Sequence, residues 1–317
     1  MQAPNTPTIG SPLLIPFDGS ANAEVVLPYV SLLAAPEQQV ILLQVIPTTQ
    51  SVTSPLGDVM LSAEEVHRAA EEAARQDLAR IAARLATMAP DLHIEQVIET
   101  GDPWEWIAKV ATRSQAHTIL LASQGASAAA PGGFGSVVGH VVRTAPVPVM
   151  VVKPGNEAAD AKIVARLVVA HDGSDRAAQV LPMIQALAKR LGAHVHIVAV
   201  VEDEESALPA NAAAGIDPHV REEARADHLN AARSRVEAAG AGLMREGLSA
   251  SWQVLSGPAA AAIIEASAAH DVLAITSHGQ SASRWMLGSV AERVIRESPV
   301  PVILLRTPPE TPPGPTV

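Results

Sequence analysis

The chain of 317 residues contains no cysteine, which excludes disulfides, thiol catalysis and cysteine-ligated metals and leaves the redox compartment open. Aromatic residues make up 2%, too few for the stacking platform that single-stranded nucleic acid requires. Basic residues are in deficit: 22 Lys and Arg against 33 Asp and Glu leave a formal charge of −11 and a pI near 5.4. A nucleic-acid backbone is therefore not expected as the main partner, although an acidic chain still binds an anion where a local site offers backbone N–H groups. No run approaches the roughly 18 apolar residues of a membrane span. The N-terminal MQAPNTPTIGSP lacks the basic stretch and apolar core of a signal peptide. A soluble cytoplasmic protein without membrane partners is the expectation.

What the sequence has is itself, twice. Asp18-Gly19-Ser20 returns as Asp172-Gly173-Ser174, 154 positions later, and Leu27-Pro28 and Gly125 return as Leu181-Pro182 and Gly279 at the same spacing. Gly135-Ser136 and Pro146-Val147-Pro148 return as Gly288-Ser289 and Pro299-Val300-Pro301 at a spacing of 153, so one residue is lost between Gly279 and Gly288. Solenoid repeats run only about 20–50 residues, so a period this long is a duplicated domain. The length prior of about 150 residues per domain agrees, and an apolar fraction of 48% suffices for two cores. The expected domains are 11–153 and 163–306, joined by a polar linker, with residues 1–10 and the Pro/Thr-rich 307–317 as disordered tails.

Hydrophobic periodicity predicts the same element order in each unit. In the first, an apolar strand at 13–17 stops at Asp18, followed by a helix at 23–33, a strand at 40–46 and a loop at 48–57. A long helix at 62–88, a strand at 92–98, a helix opened by Pro103, a strand at 117–122, a helix capped by Ser136 and a strand at 147–152 complete it. In that last helix Val137, Val138, Val141 and Val142 fall on one face. The second unit is expected to have strands at 166–171, 195–201, 250–255, 271–276 and 300–305, and helices at 176–191, 217–246, 258–269 and 289–297. Strict alternation with short, fully apolar strands predicts an α/β fold: two tandem five-stranded parallel sheets, each flanked by helices.

Ligands of open parallel sheets bind outside the carboxyl ends of the strands, and three repeated features fall there. They are Asp18 or Asp172 after the first strand, Val45 or Val200 near the end of the second, and a Gly-bearing loop after the fourth. That loop is SQGASAAAPGGFGS in the first unit and SHGQSASRWMLGS in the second. Each has Gly at the strand end and closes with Gly-Ser at a helix start. Glycine admits close backbone approach to a phosphate, and the helix N-terminus supplies unpaired N–H groups and a positive dipole end.

Other features carry less. His278 has Gln124 as its counterpart, and no acid or nucleophile keeps a repeated spacing to it. The scattered histidines show no zinc spacing, and Trp104, Trp106, Trp252 and Trp285 are unmatched between the units and read as packing. GFGSVVG, at 133–139, mimics a dinucleotide fingerprint but lies beyond the fourth strand instead of directly after the first.

In these motifs the chain resembles the universal stress protein family, whose nucleotide-binding members share Gly, two residues, Gly, nine residues, Gly, then Ser or Thr. The first unit keeps Gly125, nine residues and Gly135-Ser136, with Ala122 in place of the first Gly. The second keeps Gly279 and GSVAERV, with Thr276 in place of the first Gly and eight residues between Gly279 and Gly288. The DGS turns and PVPV segments are similar to the same family, and the resemblance covers nearly the whole chain. It implies two tandem Rossmann-like domains (adenine nucleotide alpha hydrolase-like) that bind ATP, or ADP or AMP. Asp18, Val45, Gly125, Gly135, Ser136, Val137 and Val138 would line one site; Asp172, Val200, Gly279, Gly288, Ser289, Val290 and Ala291 would line the other. The Asp and the second-strand backbone would hold adenosine and the Gly/Ser loop the phosphates, with any magnesium ion entering on those phosphates. The resemblance also implies an intramolecular pseudo-dimer through the last strands and leaves a homodimer open. The expected function is nucleotide sensing or buffering in stress response. The alternatives are a nucleotide-free dimerisation or adaptor module, and a slow ATPase or self-phosphorylating protein.

Overall fold

The computed structural model describes residues 11–53, 59–125, 135–155, 164, 166–178, 180–202, 218–268, 271–277 and 287–305. Both expected tails, the loop residues 126–134 and 278–286, and most of the linker lie outside them. The chain divides into two compact units, one built on residues 5–162 and the other on 163–317.

In the first unit the strands are β1 (Leu13–Phe17), β2 (Gln39–Ile46), β5 (His93–Thr100), β6 (Thr118–Ala122) and β7 (Val149–Val152), with a two-stranded hairpin of β3 (Val52–Thr53) and β4 (Val59–Leu61). The main sheet runs in the order β7-β6-β1-β2-β5, and every pair is parallel. Strand order therefore reverses direction at β1, between β2 and β6, which is where a crevice opens at the carboxyl ends. The helices are α1 (Val30–Leu33), α2 (Ala63–Met88), α3 (Pro103–Arg113) and α4 (Ser136–Thr144). In α2 a Ser62–Glu65 capping box closes the N-terminus, and Ala74, Leu78, Ile81 and Leu85 form the buried stripe.

The second unit repeats this frame with β8 (Arg166–Ala170), β9 (His194–Val201), β10 (Ala250–Ser256), β11 (Asp271–Thr276) and β12 (Val302–Leu305), and with α5 (Asp175–Ala178), α6 (Leu181–Leu191), α7 (Pro218–Arg245), α8 (Ala259–Glu265) and α9 (Ser289–Glu297). Its strands run β10-β9-β8-β11-β12, again all parallel. The α/β class with parallel sheets flanked by helices is as the alternation predicts.

Four local expectations are corrected. The helix expected at 23–33 is a 3-10 helix, Ala21–Tyr29, followed by the single turn of α1. Pro28 has no N–H to donate and its ring opposes the carbonyl four residues back, so an α ladder cannot run through it. Its counterpart Pro182 lies in the first turn of α6, where proline is tolerated, and the helix expected at 176–191 is split into α5 and α6 instead. The loop expected at 48–57 contributes β3, which pairs antiparallel with β4. Finally, Ser136 is not a cap: the half-in residue of α4 is Gly135, extended at φ −60° and ψ 148°, with no side-chain cap bond. Val137 is half-exposed, while Val138, Val141 and Val142 are buried.

Candidate functional site

The carboxyl end of β1 turns sharply because Gly19 takes φ +77°, a left-handed conformation that glycine alone adopts without strain. The turn is held by Asp18, whose Oδ1 accepts from the Ser20 N–H at 3.0 Å and from Ser20 Oγ at 2.6 Å. Ser20 Oγ in turn accepts from Ala23 N at 3.3 Å. On the neighbouring strand β6, the buried Ser123 anchors the start of the Gly-bearing loop, and its carbonyl accepts from Gly135 N at 3.1 Å. That bond brings the N-terminus of α4 to the end of β6, beside Asp18. Gly125 lies directly against Asp18: a Cβ built on Gly125 would stand 2.0 Å from Asp18 Oδ2. Gly135 is different, since a Cβ there would meet nothing closer than Ser123 O at 3.8 Å. Its openness faces the cleft, where the first-turn N–H groups of α4 have no intrahelical acceptor.

A cleft of about 130 Å³ opens here, and all seven first-unit candidates line it: Asp18, Val45, Gly125, Gly135, Ser136, Val137 and Val138. Phe17, Leu43, Pro103, Ile107, Leu121 and Gln124 line it as well, and sequence reasoning missed them. Phe17 and Leu43 were visible only as core residues of apolar strands. Pro103 and Ile107 read as a helix start and its buried face, with nothing to show that α3 borders the cleft. The wall is mostly apolar, with polar groups at Asp18, Gln124 and the start of α4. Such a wall accommodates a flat apolar-faced ligand with an anionic end. Near the rim, Trp104 stacks on His140 with centroids 5.3 Å apart, while Trp106 donates to the Thr100 carbonyl at 2.8 Å; both are packing contacts of α3.

The second unit reproduces the frame. Asp172 Oδ1 accepts from Ser174 N at 3.0 Å and Ser174 Oγ at 2.6 Å, and Gly173 takes φ +79°. Gly288 N donates to Ser277 O at 2.9 Å and opens α9 at φ −60° and ψ 143°. Asp172, Val200, Gly288, Ser289, Val290 and Ala291 thus fall at the adjoining ends of β8, β9 and β11, whereas Gly279 and His278 lie outside the described residues.

The surroundings of the two turns differ. Over the first turn sits Asp77 of α2, whose Oδ2 is 2.9 Å from a Cβ built on Gly19; over the second sits Arg235 of α7, whose Cδ is 2.2 Å from a Cβ built on Gly173. The cleft-lining Phe17 is replaced by His171, which the sequence reading did not single out. His171 is buried, its Nδ1 accepts from Gly173 N at 3.0 Å, and its Nε2 has no partner among the described residues. Burial holds its pKa below the ordinary imidazole value; the Asp172 carboxylate opposes that shift and Arg235 adds to it.

The model of the universal stress protein family matches residues 11–153 and 164–306. Among solved structures, a universal stress protein from Archaeoglobus fulgidus is similar at 24% identity and a TM-score of 0.64, covering 94% of this chain and 96% of that one. A putative universal stress protein from Pseudomonas aeruginosa is similar at 16% identity and a TM-score of 0.61, covering 93% of each chain. None of the curated proteins matches the chain.

Proposed function

Because the chain belongs to the universal stress protein family, we propose that it binds ATP, or the related ADP or AMP, at these strand ends and senses or buffers nucleotide state in stress response. The observation that carries this reading is the first-unit cleft at the β1–β6 switch point, where Asp18, Gly125 and the open Gly135 at the head of α4 converge. The residues fit the group. The apolar wall would take the flat base, with Asp18 and the backbone near Val45, which line the same cleft, as hydrogen-bond partners for the sugar and base. Gly135 leaves room for a phosphate to reach the first-turn N–H groups of α4. No residue is assigned as a metal ligand; magnesium would arrive on the phosphates it neutralises.

The proposal extends to the second unit through Asp172, Val200, Gly279, Gly288, Ser289, Val290 and Ala291. It also holds that the two units pair within one chain. In each unit's own sheet the last strand, β7 or β12, is outermost and entirely apolar, and an apolar edge strand invites pairing.

The test is to denature the purified full-length protein and identify any nucleotide released, then to titrate the stripped protein with ATP. Adenine nucleotide in the supernatant, or saturable ATP binding that weakens in Gly135→Leu and is lost when Gly288→Leu is added, is the expected result. Neither release nor binding would overturn the reading in favour of the nucleotide-free adaptor, and phosphate release over hours would convert it to a slow ATPase.

A further inference from the structure

The ring of His171 is tied to the turn beside it. Because Nδ1 accepts from the Gly173 N–H at 3.0 Å, the neutral ring carries its proton on Nε2. Adding a second proton puts N–H on Nδ1, facing the Gly173 N–H, so a hydrogen bond becomes a donor–donor contact. His171 is 6% exposed, Nε2 has no partner among the described residues, and the residue's own backbone favours the imidazolium less than burial opposes it. Relief requires the ring or the Asp172-Gly173-Ser174 turn to move. The first unit has Phe17 at this place, and its turn forms with the same Asp18–Ser20 bonds. The ring nitrogen is therefore not needed to make the turn; it makes the turn responsive to protons.

We propose that His171 is a protonation switch on the second unit's nucleotide turn: the neutral ring holds the Gly173 amide and keeps Asp172 presented, and protonation releases both, so this site binds nucleotide only while His171 is neutral. The inference rests on the nucleotide-binding reading for its consequence, though not for the switch itself. The charged groups that reach His171 are Asp172 on its own turn and Arg235 of α7. The adjoining strand ends, residues 199–201 of β9 and 275–277 at the end of β11, contribute only uncharged side chains. Asp172 favours the imidazolium; burial and Arg235 oppose it more strongly, which sets the switch on the acid side of neutrality. The first site, with Phe17, carries no such switch.

The test uses the full chain. In amide spectra across a pH series, the Gly173 resonance should shift with the same midpoint as the His171 ring, and the shift should vanish in His171→Phe. In a Gly135→Leu background, which isolates the second site, the Kd for ATP should rise about tenfold per pH unit below that midpoint. Adding His171→Phe should flatten that rise, leaving only what proton uptake by ATP itself contributes. A Gly173 amide that does not follow the His171 titration overturns the proposal, and so does a pH dependence of ATP binding that is as steep in His171→Phe as without it. If ATP binds at no pH, the nucleotide reading fails, and the Gly173 amide still decides the switch.

Discussion

Gly125→Ala should damage the first unit through one contact, and the size of that damage can be worked from the geometry. The new Cβ would lie 2.0 Å from Asp18 Oδ2 and 3.0 Å from its Cγ, distances no methyl group tolerates. The backbone itself offers no resistance, because Gly125 is not among the glycines with positive φ. The Asp18 carboxylate must therefore swing away, and Oδ1 then loses its bonds to Ser20 N and Ser20 Oγ. Each is worth roughly 0.5–1.5 kcal/mol, and exposure of the turn discounts the charge assistance, so about 1–2 kcal/mol is expected. For a unit of this size that corresponds to a fall in melting temperature of roughly 2–8 °C.

The assay is a double-mutant cycle by thermal and denaturant unfolding. With Asp18→Ala already in place the obstructing carboxylate is gone, and Gly125→Ala should change stability by less than about 0.5 kcal/mol, giving a coupling near 1 kcal/mol. The reasoning is refuted if Gly125→Ala is neutral in the parent, or equally destabilising with and without Asp18. On the proposed function the single variant also weakens ATP binding at least about tenfold, since the carboxylate no longer stands over the cleft.

Three further outcomes are expected. Gly135→Leu and Gly288→Leu should each leave the melting temperature within a few degrees yet weaken ATP binding more than about tenfold, ~1.4 kcal/mol, while Ser136→Ala removes about 1 kcal/mol. Gly242→Leu in α7 is the matched control by the same titration, because Gly247, at φ +80°, would report backbone strain instead. Arg166→Leu should destabilise the second unit by about 2–4 kcal/mol in denaturant unfolding, because Asp271, with a side chain 1% exposed, loses the partner bonded at 2.6 Å. That range discounts the usual penalty for a broken buried pair for an arginine that is 32% exposed; replacing both residues by Leu should recover most of the loss. Acid should weaken the second unit: His171 and His196 are both held below the ordinary value, mainly by burial. Their neutral forms are the native ones, so their contribution is complete above about pH 6.5 and lost as pH falls below it, by up to ~1.4 kcal/mol per unit for each. Calorimetric scans across that window should show the loss, and its absence in a variant lacking both histidines.

Much of the frame was readable because it depends on local rules. Apolar runs broken by Asp-Gly-Ser, and helices opened by Pro103 or by Gly-Ser, placed the parallel strands close to their observed positions. What failed was decided elsewhere. Pro28 converted a largely apolar stretch into a 3-10 helix, a consequence of the missing N–H that the hydrophobic pattern does not register. The hairpin of β3 and β4 is short, and its Val52, Val59, Met60 and Leu61 are exposed, so no buried face announced it. The walls contributed by Ile107 and Leu43 were hidden for the opposite reason: a residue buried against a cleft has the same periodicity as one buried against a core.

The strand-end frames of the two units are nearly copies. The Asp-to-Ser bonds are 3.0 and 2.6 Å in both turns, and the glycine that opens the following helix donates to a strand-end serine carbonyl at 3.1 Å in one unit and 2.9 Å in the other. Backbone geometry at these described residues therefore cannot distinguish the two sites. The difference lies in what surrounds the frame: Phe17 against His171 on the strand, and Asp77 against Arg235 on the long helix above the turn. Asp77 lies 59 residues beyond Asp18 and Arg235 lies 63 beyond Asp172, distances over which motif reading has no reach. The carboxylate over the first turn is paired with Arg80 at 3.4 Å, which offsets its repulsion of an anion, whereas a guanidinium over the second attracts one. The first unit thus keeps the longer Gly-to-Gly spacing and an ion pair over its turn, and the second the shorter spacing, a guanidinium over its turn and a titratable ring. Duplication preserved the turn that presents the carboxylate and left its neighbours to set how each copy responds.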